Sequence, residues 1–311
     1  MSDFATIAHD NECLTTAVAG GGDLRKEAQD TLGTYTYRRV REGSVFRKVL
    51  TPIEEPDSRY NVKTGDSRPT VTYEMEQDVM MGMAVPYDSQ SIEQVFMVDR
   101  YEVSGQRVMT PRVVFDAMQL KTVHYDVKTV FANNMMRDAL AIEDTAFVTT
   151  VNAMLGGSAN TTIPSTGLVH WNQWSGGITR DSLVEGGLQT LNFPYNIKSL
   201  TAVASSYTVG QVAKFDRNEA GGDIAEDLLE NGAWMKAKLN GETYYGSIKN
   251  WLIPNFRVYH FGPSDMLGRT VMFDSAKMYI EEKRWIYSME MSWVIGTTLV
   301  NNQAMAIVDH S

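Results

Sequence analysis

Five histidines, His9, His124, His170, His260 and His310, are the side chains of this 311-residue chain best suited to proton transfer or metal ligation. None lies four residues from another, the spacing that puts two imidazoles on one helix face, and no HExxH segment occurs. Unless folding gathers two or three of them, they read as ordinary polar or part-buried histidines. The one cysteine, Cys13, sits in a stretch without a core pattern, where a nucleophile would lack a rigid, oriented base. There is no GxSxG elbow, no GxGxxG after a strand and no EF-hand loop. Gly20-Gly21-Gly22 precedes a helix-like stretch, but the Gly-Lys-Ser/Thr ending of a phosphate cradle is missing. No catalytic residue, cofactor or metal site is expected.

Carboxylates cluster at Glu54, Glu55 and Asp57 and again at Glu226, Asp227 and Glu230. The first group reads as a solvated loop tip and the second as the outer face of a helix. The only local basic run is Arg38, Arg39, Arg41, Arg47 and Lys48, with Tyr35, Tyr37 and Phe46 interleaved. It is open to two readings, contact with nucleic-acid phosphates or pairing with acidic surface on a neighbouring subunit. The formal charge of −10 opposes a dedicated nucleic-acid binder, which needs a basic surface to release counterions, and so favours protein contact. With 43% hydrophobic and 21% charged residues the chain has ordinary globular usage, which excludes wholesale disorder. No apolar run reaches the 18 or so residues of a membrane span, and the acidic N-terminus lacks the pattern of a secretion signal. A lone cysteine gives no sign of an oxidising compartment, so a cytoplasmic origin is expected.

The elements that must position these residues follow from hydrophobic periodicity. Residues 1–42 read as an arm, with a short helix capped by Asp23 and ended by Gly33. Residues 43–86 read as a long hairpin. Val45 and Val49 mark the ascending strand; Val71, Tyr73 and Met75, alternating with Thr72, Glu74 and Glu76, mark the return. The polar, proline-punctuated stretch between them exceeds the usual loop length, and a two-stranded ribbon is marginal alone in water. It is therefore expected to lie on its own domain or on a neighbour. A β-rich passage with Val95, Met97, Tyr101 and Val103 follows.

The strongest helix signal covers about 122–155, stopped by Gly156-Gly157, and spans roughly 50 Å. Its apolar residues form two stripes. One contains Phe131, Met135, Ala139, Ile142, Ala146 and Ala153; the other contains Met136, Leu140, Phe147, Val151 and Met154. A helix apolar on two faces must be covered on two sides. Beyond a Gly-, Ser- and Thr-rich boundary, Ser182 with Glu185 fits a capping box, with Thr179 as the competing N-cap. Further helices are expected at 205–215 and 223–232, and strands at 244–253, 256–261, 270–280, 288–295 and 304–309. The last strand is continuously apolar and expected to be covered on both faces. Strands and helices mix without a βαβ rhythm, which indicates an α+β fold.

Four stretches in this order resemble the major capsid proteins of tailed bacteriophages, the Hong Kong 97-type fold. Ile142 to Phe147, with Glu143 and Asp144, is similar to the family's acidic-then-aromatic helix end. ITRDSLVEGGLQTL looks like the helix that opens its axial domain, and LTAVASSYTVGQVAKF like its strand-then-helix segment. SMEMSWVIGTTLVNNQAMAIVD resembles its closing strands.

The resemblance implies an N-terminal arm (1–42), an extended loop (43–86) and a peripheral domain (87–178) built on the spine helix, with returning strands at about 270–295. It implies an axial domain over 179–269, closed by a terminal strand at about 296–311. It further implies a structural, non-enzymatic shell subunit that forms hexamers and pentamers of an icosahedral head around double-stranded DNA. Contact with that DNA would be loose and non-specific, and the virion capsid, assembled in the host cytoplasm, would be its location. A separate scaffolding protein, a portal and a decoration protein are implied as partners, and no membrane. Candidate intersubunit contacts are Arg59, Tyr60 and Lys63 in the loop, and Arg38, Arg39 and Arg41 at its base. Lys63 matches the position of a crosslinking lysine in some relatives, but no partner asparagine can be placed. An encapsulin shell shares the resemblance, and an enzyme using scattered residues such as His170 and Glu226 stays open as a further alternative.

Overall fold

The structure is a computed structural model that describes residues 44–62, 68–76, 98–116, 127–160, 169–191, 197–212, 236–239, 241–283 and 285–310. The arm with His9, Cys13, Arg38, Arg39 and Arg41, the loop residue Lys63, His124 and the acidic stretch with Glu226, Asp227 and Glu230 lie outside the described residues.

Strands, numbered in chain order, form three sheets. The first is built on a long antiparallel pair, β12 (Gly268–Lys283) and β13 (Ile286–Leu299). The two-residue β1 (Ile53–Glu54) joins β12 in parallel, and β5 (Gln106–Met109) and β6 (Val113–Asp116) both pair with β13. The second sheet has the order β7 (Trp171–Trp174), β14 (Met305–His310), β11 (Arg257–Phe261), β8 (Thr201–Ser205), β10 (Glu242–Ser247), β9 (Lys236–Leu239). The third is a ribbon of β2 (Asn61–Val62), β3 (Pro69–Glu76) and β4 (Val98–Ser104). Mixed sheets, parallel and antiparallel, with helices outside any βαβ rhythm make this an α+β fold, as the sequence pattern implies.

The spine helix α1 (Val127–Met154) is 28 residues, about 42 Å, long. It ends where Gly156 and Gly157 adopt φ of 91° and 76°, the left-handed conformation that closes a helix C-terminus at no steric cost to glycine. The second stripe is buried from Met136 and Leu140 through Phe147 and Val151, whereas the first is buried at Met135 and Ala139 and exposed at Ile142, Ala146 and Ala153. In the N-terminal half, Met135 and Ala139 pack into the first sheet with Met289, Met291 and Trp293. In the C-terminal half, Phe147, Val148, Val151 and Leu155 enter a second core with Tyr259, Phe261 and Ile307 of the second sheet. The buried face thus rotates along the helix as it passes from one sheet to the other. Ile142, Ala146 and Ala153, which a single unrotated face would bury, are left exposed.

The second sheet is covered on both sides, so β14 is continuously buried from Met305 to Val308, as its unbroken apolar run requires. Its far face is covered by α2 (Arg180–Leu188) and α3 (Ser206–Val212), with Leu183, Val209 and Val212 packed on Ala202, Ala204 and Val258. Thr179 wins the N-cap of α2: its hydroxyl accepts from Ser182 N–H at 3.2 Å and Ser182 answers from the N3 position, a capping box that starts before Ser182–Glu185 and uses Ser182 as its second member. A one-turn helix, α4 (Ser264–Leu267), leads into β12.

Two local expectations are corrected. Residues 45–49 form no ascending strand; Phe46–Lys48 is a 3-10 turn flanked by Val45 and Val49 in helical conformation. Ser44 through Leu50 are buried except Lys48, a pattern that a strand alternating between two faces cannot supply. The return strand β3 pairs instead with β4, Val71 opposite Val103 and Tyr73 opposite Tyr101, with the two tyrosine rings stacked at 5.8 Å. The strand expected over 244–253 stops at Ser247. Ile248 and Trp251, read as strand residues, lie in a turn and point to solvent.

Candidate functional site

Glu143 and Asp144, the acidic pair of the spine helix, form a buried polar hub. Arg47, presented by the 3-10 turn, donates to both oxygens of Glu143, from Nε at 2.8 Å and from Nη2 at 2.6 Å. The indole N–H of Trp293 on β13 donates to the same carboxylate. Asp144 accepts from Ser44 Oγ at 2.7 Å and pairs with Lys249 from the turn after β10. Two adjacent carboxylates therefore tie together the N-terminal segment, both sheets and the spine. Two fully paired acids of this kind are a structural joint, without a free general acid or base. Beside them lies a cleft of about 160 Å³, lined by Phe46, Arg47, Ile142, Phe147 and Ile295, small against the 300–1,000 Å³ of ligand pockets.

The structure brings three of the five histidines into the second sheet. His260 Nδ1 lies 3.1 Å from Glu242 Oε2, and the same oxygen accepts from Tyr244 Oη at 2.8 Å. Burial raises the Glu242 pKa, but hydrogen bonds from His260, Ser199 and Tyr244 outweigh it and hold the carboxyl below its ordinary range. Burial, reinforced by the Glu242 charge, pushes the Tyr244 phenol up. His310 is buried on β14, and burial with the neighbouring His260 brings its pKa down to about 4. His170 is wholly buried, with its pKa lowered by burial, and its carbonyl accepts from Ile307 N–H at 2.7 Å. No substrate reaches His170 in this conformation. Among the described residues no group of three or more His, Cys, Asp and Glu is placed to hold a metal ion, and no helix is long and apolar enough to cross a membrane.

The remaining candidates for function are surfaces. Arg59 is exposed and pairs with Glu55 at 3.1 Å, while Tyr60 is half-buried, its ring 5.1 Å from Phe273 and its hydroxyl donating to Glu55 O at 2.8 Å. Tyr60 thus fastens the base of the ribbon to β12. The largest exposed apolar side chains occur elsewhere. At the tip of the β12–β13 hairpin Trp285 is 75% exposed, and Ile286, Tyr279 and Val114 are exposed on one face of the first sheet, interspersed with Glu281, Lys283 and Asp116. Near the second sheet Ile248 (77%) and Trp251 (66%) stand out from the turn after β10, close in sequence to the hub residue Lys249. Sequence reasoning passed over both groups. The signal for the first was a tryptophan between two strand patterns, where a hairpin turn is ordinarily polar.

No family model matches the chain, and no curated protein matches it in sequence. Its fold does have solved counterparts. The capsid structure of the cyanophage P-SCSP1u superposes with a TM-score of 0.57 at 11% identity, covering 86% of this chain and 88% of that one. The mature capsid of bacteriophage PhiM1 gives 0.55 at 10%, covering 86% and 87%. A virus-like particle from Pyrococcus furiosus gives 0.55 at 13%, covering 91% of this chain and 100% of that one. The fold is therefore that of phage capsid proteins. More particularly, it is the Hong Kong 97-type fold of major capsid proteins, here with a spine helix, a long returning hairpin, a six-stranded sheet and an outlying ribbon.

Proposed function

We propose that this chain is a shell subunit, the major capsid protein of a tailed phage. Copies assemble into hexamers and pentamers of an icosahedral head enclosing double-stranded DNA. The observation that carries this reading is the likeness of nearly the whole chain, 86%, to nearly whole capsid subunits of two phages. The exposed tryptophans of two separate turns, Trp285 and Trp251, support it, because exposed apolar surface marks protein contacts and heterologous contacts close into rings. The ribbon β2–β4 acts as the extended loop, the first sheet with α1 as the peripheral domain and the second sheet as the axial domain. Arg59, Lys63 and the Arg38, Arg39 and Arg41 run meet neighbouring subunits. The net charge of −10 suits a shell that holds DNA only loosely, a scaffolding protein guides assembly, and the subunit has no catalytic role.

Electron microscopy and analytical ultracentrifugation of the purified chain, with and without its scaffolding partner, test this. Closed particles or capsomer rings are expected. An inert monomer at every concentration refutes it. Trp285→Asp is expected to abolish particles while leaving the melting temperature of the subunit within about 2 °C, because the residue is exposed. The likeness to the Pyrococcus particle supports a second reading, a nanocompartment shell. Particles made in the native host that protect protein cargo rather than DNA from digestion would establish that reading instead.

A further inference from the structure

Packing alone does not account for the titratable cluster inside the second sheet. The register of β11 and β14 sets His260 opposite Ala306 and Val258 opposite Val308, so His260, Val308 and His310 share one face. That is the face covered by α2. The helix approaches so closely at Gly186 that a Cβ there would lie 2.4 Å from His260 Nε2 and 2.8 Å from Val308 Cγ2. The Glu242 carboxylate accepts from His260 Nδ1, and the ring turns its Nε2 toward the helix backbone. Among the described residues neither that nitrogen nor either ring nitrogen of His310 has a hydrogen-bond partner. His310 is 4% exposed and His260 is fully enclosed.

We infer that helix α2 is an acid-released latch. A proton added to a ring nitrogen of His310 makes a buried cation with no acceptor, and the unit of β14 and α2 opens to hydrate it. Among the described residues, the groups facing His310 offer no relief. From β11 comes His260, itself paired with Glu242 of β10, a strand three places from β14. Asp309 on β14 itself turns to the opposite face, where it pairs with Arg257 at 2.9 Å. The sequences of β7 and β8 contain no charged residue, and Arg180, Asp181 and Glu185 of α2 are exposed on its outer side. The depressed pKa of His310 agrees with this geometry. The latch belongs to the subunit and does not depend on the shell reading.

Hydrogen-exchange mass spectrometry of the full chain at pH 7.5, 6.0 and 4.5, corrected for intrinsic exchange, tests it. Protection over 180–188 and 305–310 is expected to fall about tenfold per pH unit below about 6.5, while β12 and β13 keep theirs. In His310→Phe, and in His310→Gln should the phenyl ring not fit, this pH step is expected to vanish. The inference is overturned if protection in α2 and β14 is unchanged down to pH 4.5. It is also overturned if it falls in step with β12 and β13, a measurement on the unmodified chain alone, or if a folded His310 variant keeps the step. Each of these outcomes is independent of whether particles form.

Discussion

The joint between Arg47 and Glu143 allows a quantitative test of how the N-terminal turn is held. The two side chains are 4% and 9% exposed, and among the described residues the guanidinium is held by this bidentate bond alone, its Nη1 having no partner. Replacing Glu143 by Gln keeps the shape and an acceptor for the Trp293 indole but leaves a buried cation uncompensated. Removing one partner of a buried pair costs about 3–5 kcal/mol. In a chain of this size each kcal/mol moves the midpoint by about 2 °C, so Glu143→Gln should melt on the order of 6–10 °C lower. Arg47→Met in the same background removes the stranded charge, and the double variant should return to within about 1 kcal/mol of the parent, since buried ion pairs exchanged for neutral groups of similar volume are near neutral. The assay is a two-by-two cycle of thermal melts on unassembled subunits at low concentration. A Glu143→Gln variant that melts with the parent, or a double variant whose loss is the sum of the singles, would refute the assignment of this pair as the joint.

Three further outcomes are expected. Phe147→Asp should yield insoluble protein without near-UV circular dichroism, since Phe147 packs at 4.7 Å on Phe46 and 5.8 Å on Phe261 and an unpaired carboxylate there has no partner. Gly186→Ala should lower stability by about 1–3 kcal/mol, read from the melt, because the added methyl meets His260 and Val308 below contact distance. The pH dependence has a definite sign. The unfolded chain protonates His310 near its ordinary 6.5 and the folded chain only near 4, so below 6.5 the unfolded state binds more protons. The stability contributed by neutral His310 is complete above about pH 6.5 and is lost as the pH falls to about 4, by about 3 kcal/mol in total. A flat urea midpoint from pH 7 to pH 4.5 would contradict this.

Much of the architecture is legible in the residues because periodicity is a local property. The spine helix, the return strand β3, the long closing strands and the doubly covered β14 all follow from which positions are apolar and at what interval. The stretch from Ser44 to Leu50 was misread because valine at two positions looks like a strand, whereas Phe46 and Arg47 must both reach the spine helix. Of the histidines, spacing showed only that none pairs locally; that His260 and His310 share a face depends on which strands become neighbours.

The order of hydrophobic runs, the lack of a local catalytic motif and the acidic balance were thus settled by the chain itself, since each is a property of neighbouring residues or of their sum. Tertiary structure alone decided that the spine helix passes from one core to another along its length, that Glu143 and Asp144 are joints, and that Trp285 and Trp251 stay in solvent. The physical reason is the same in each case. Burial and pairing depend on contacts between residues a hundred or more positions apart, such as Ser44 with Asp144 and Glu143 with Trp293, and no periodicity encodes those partners.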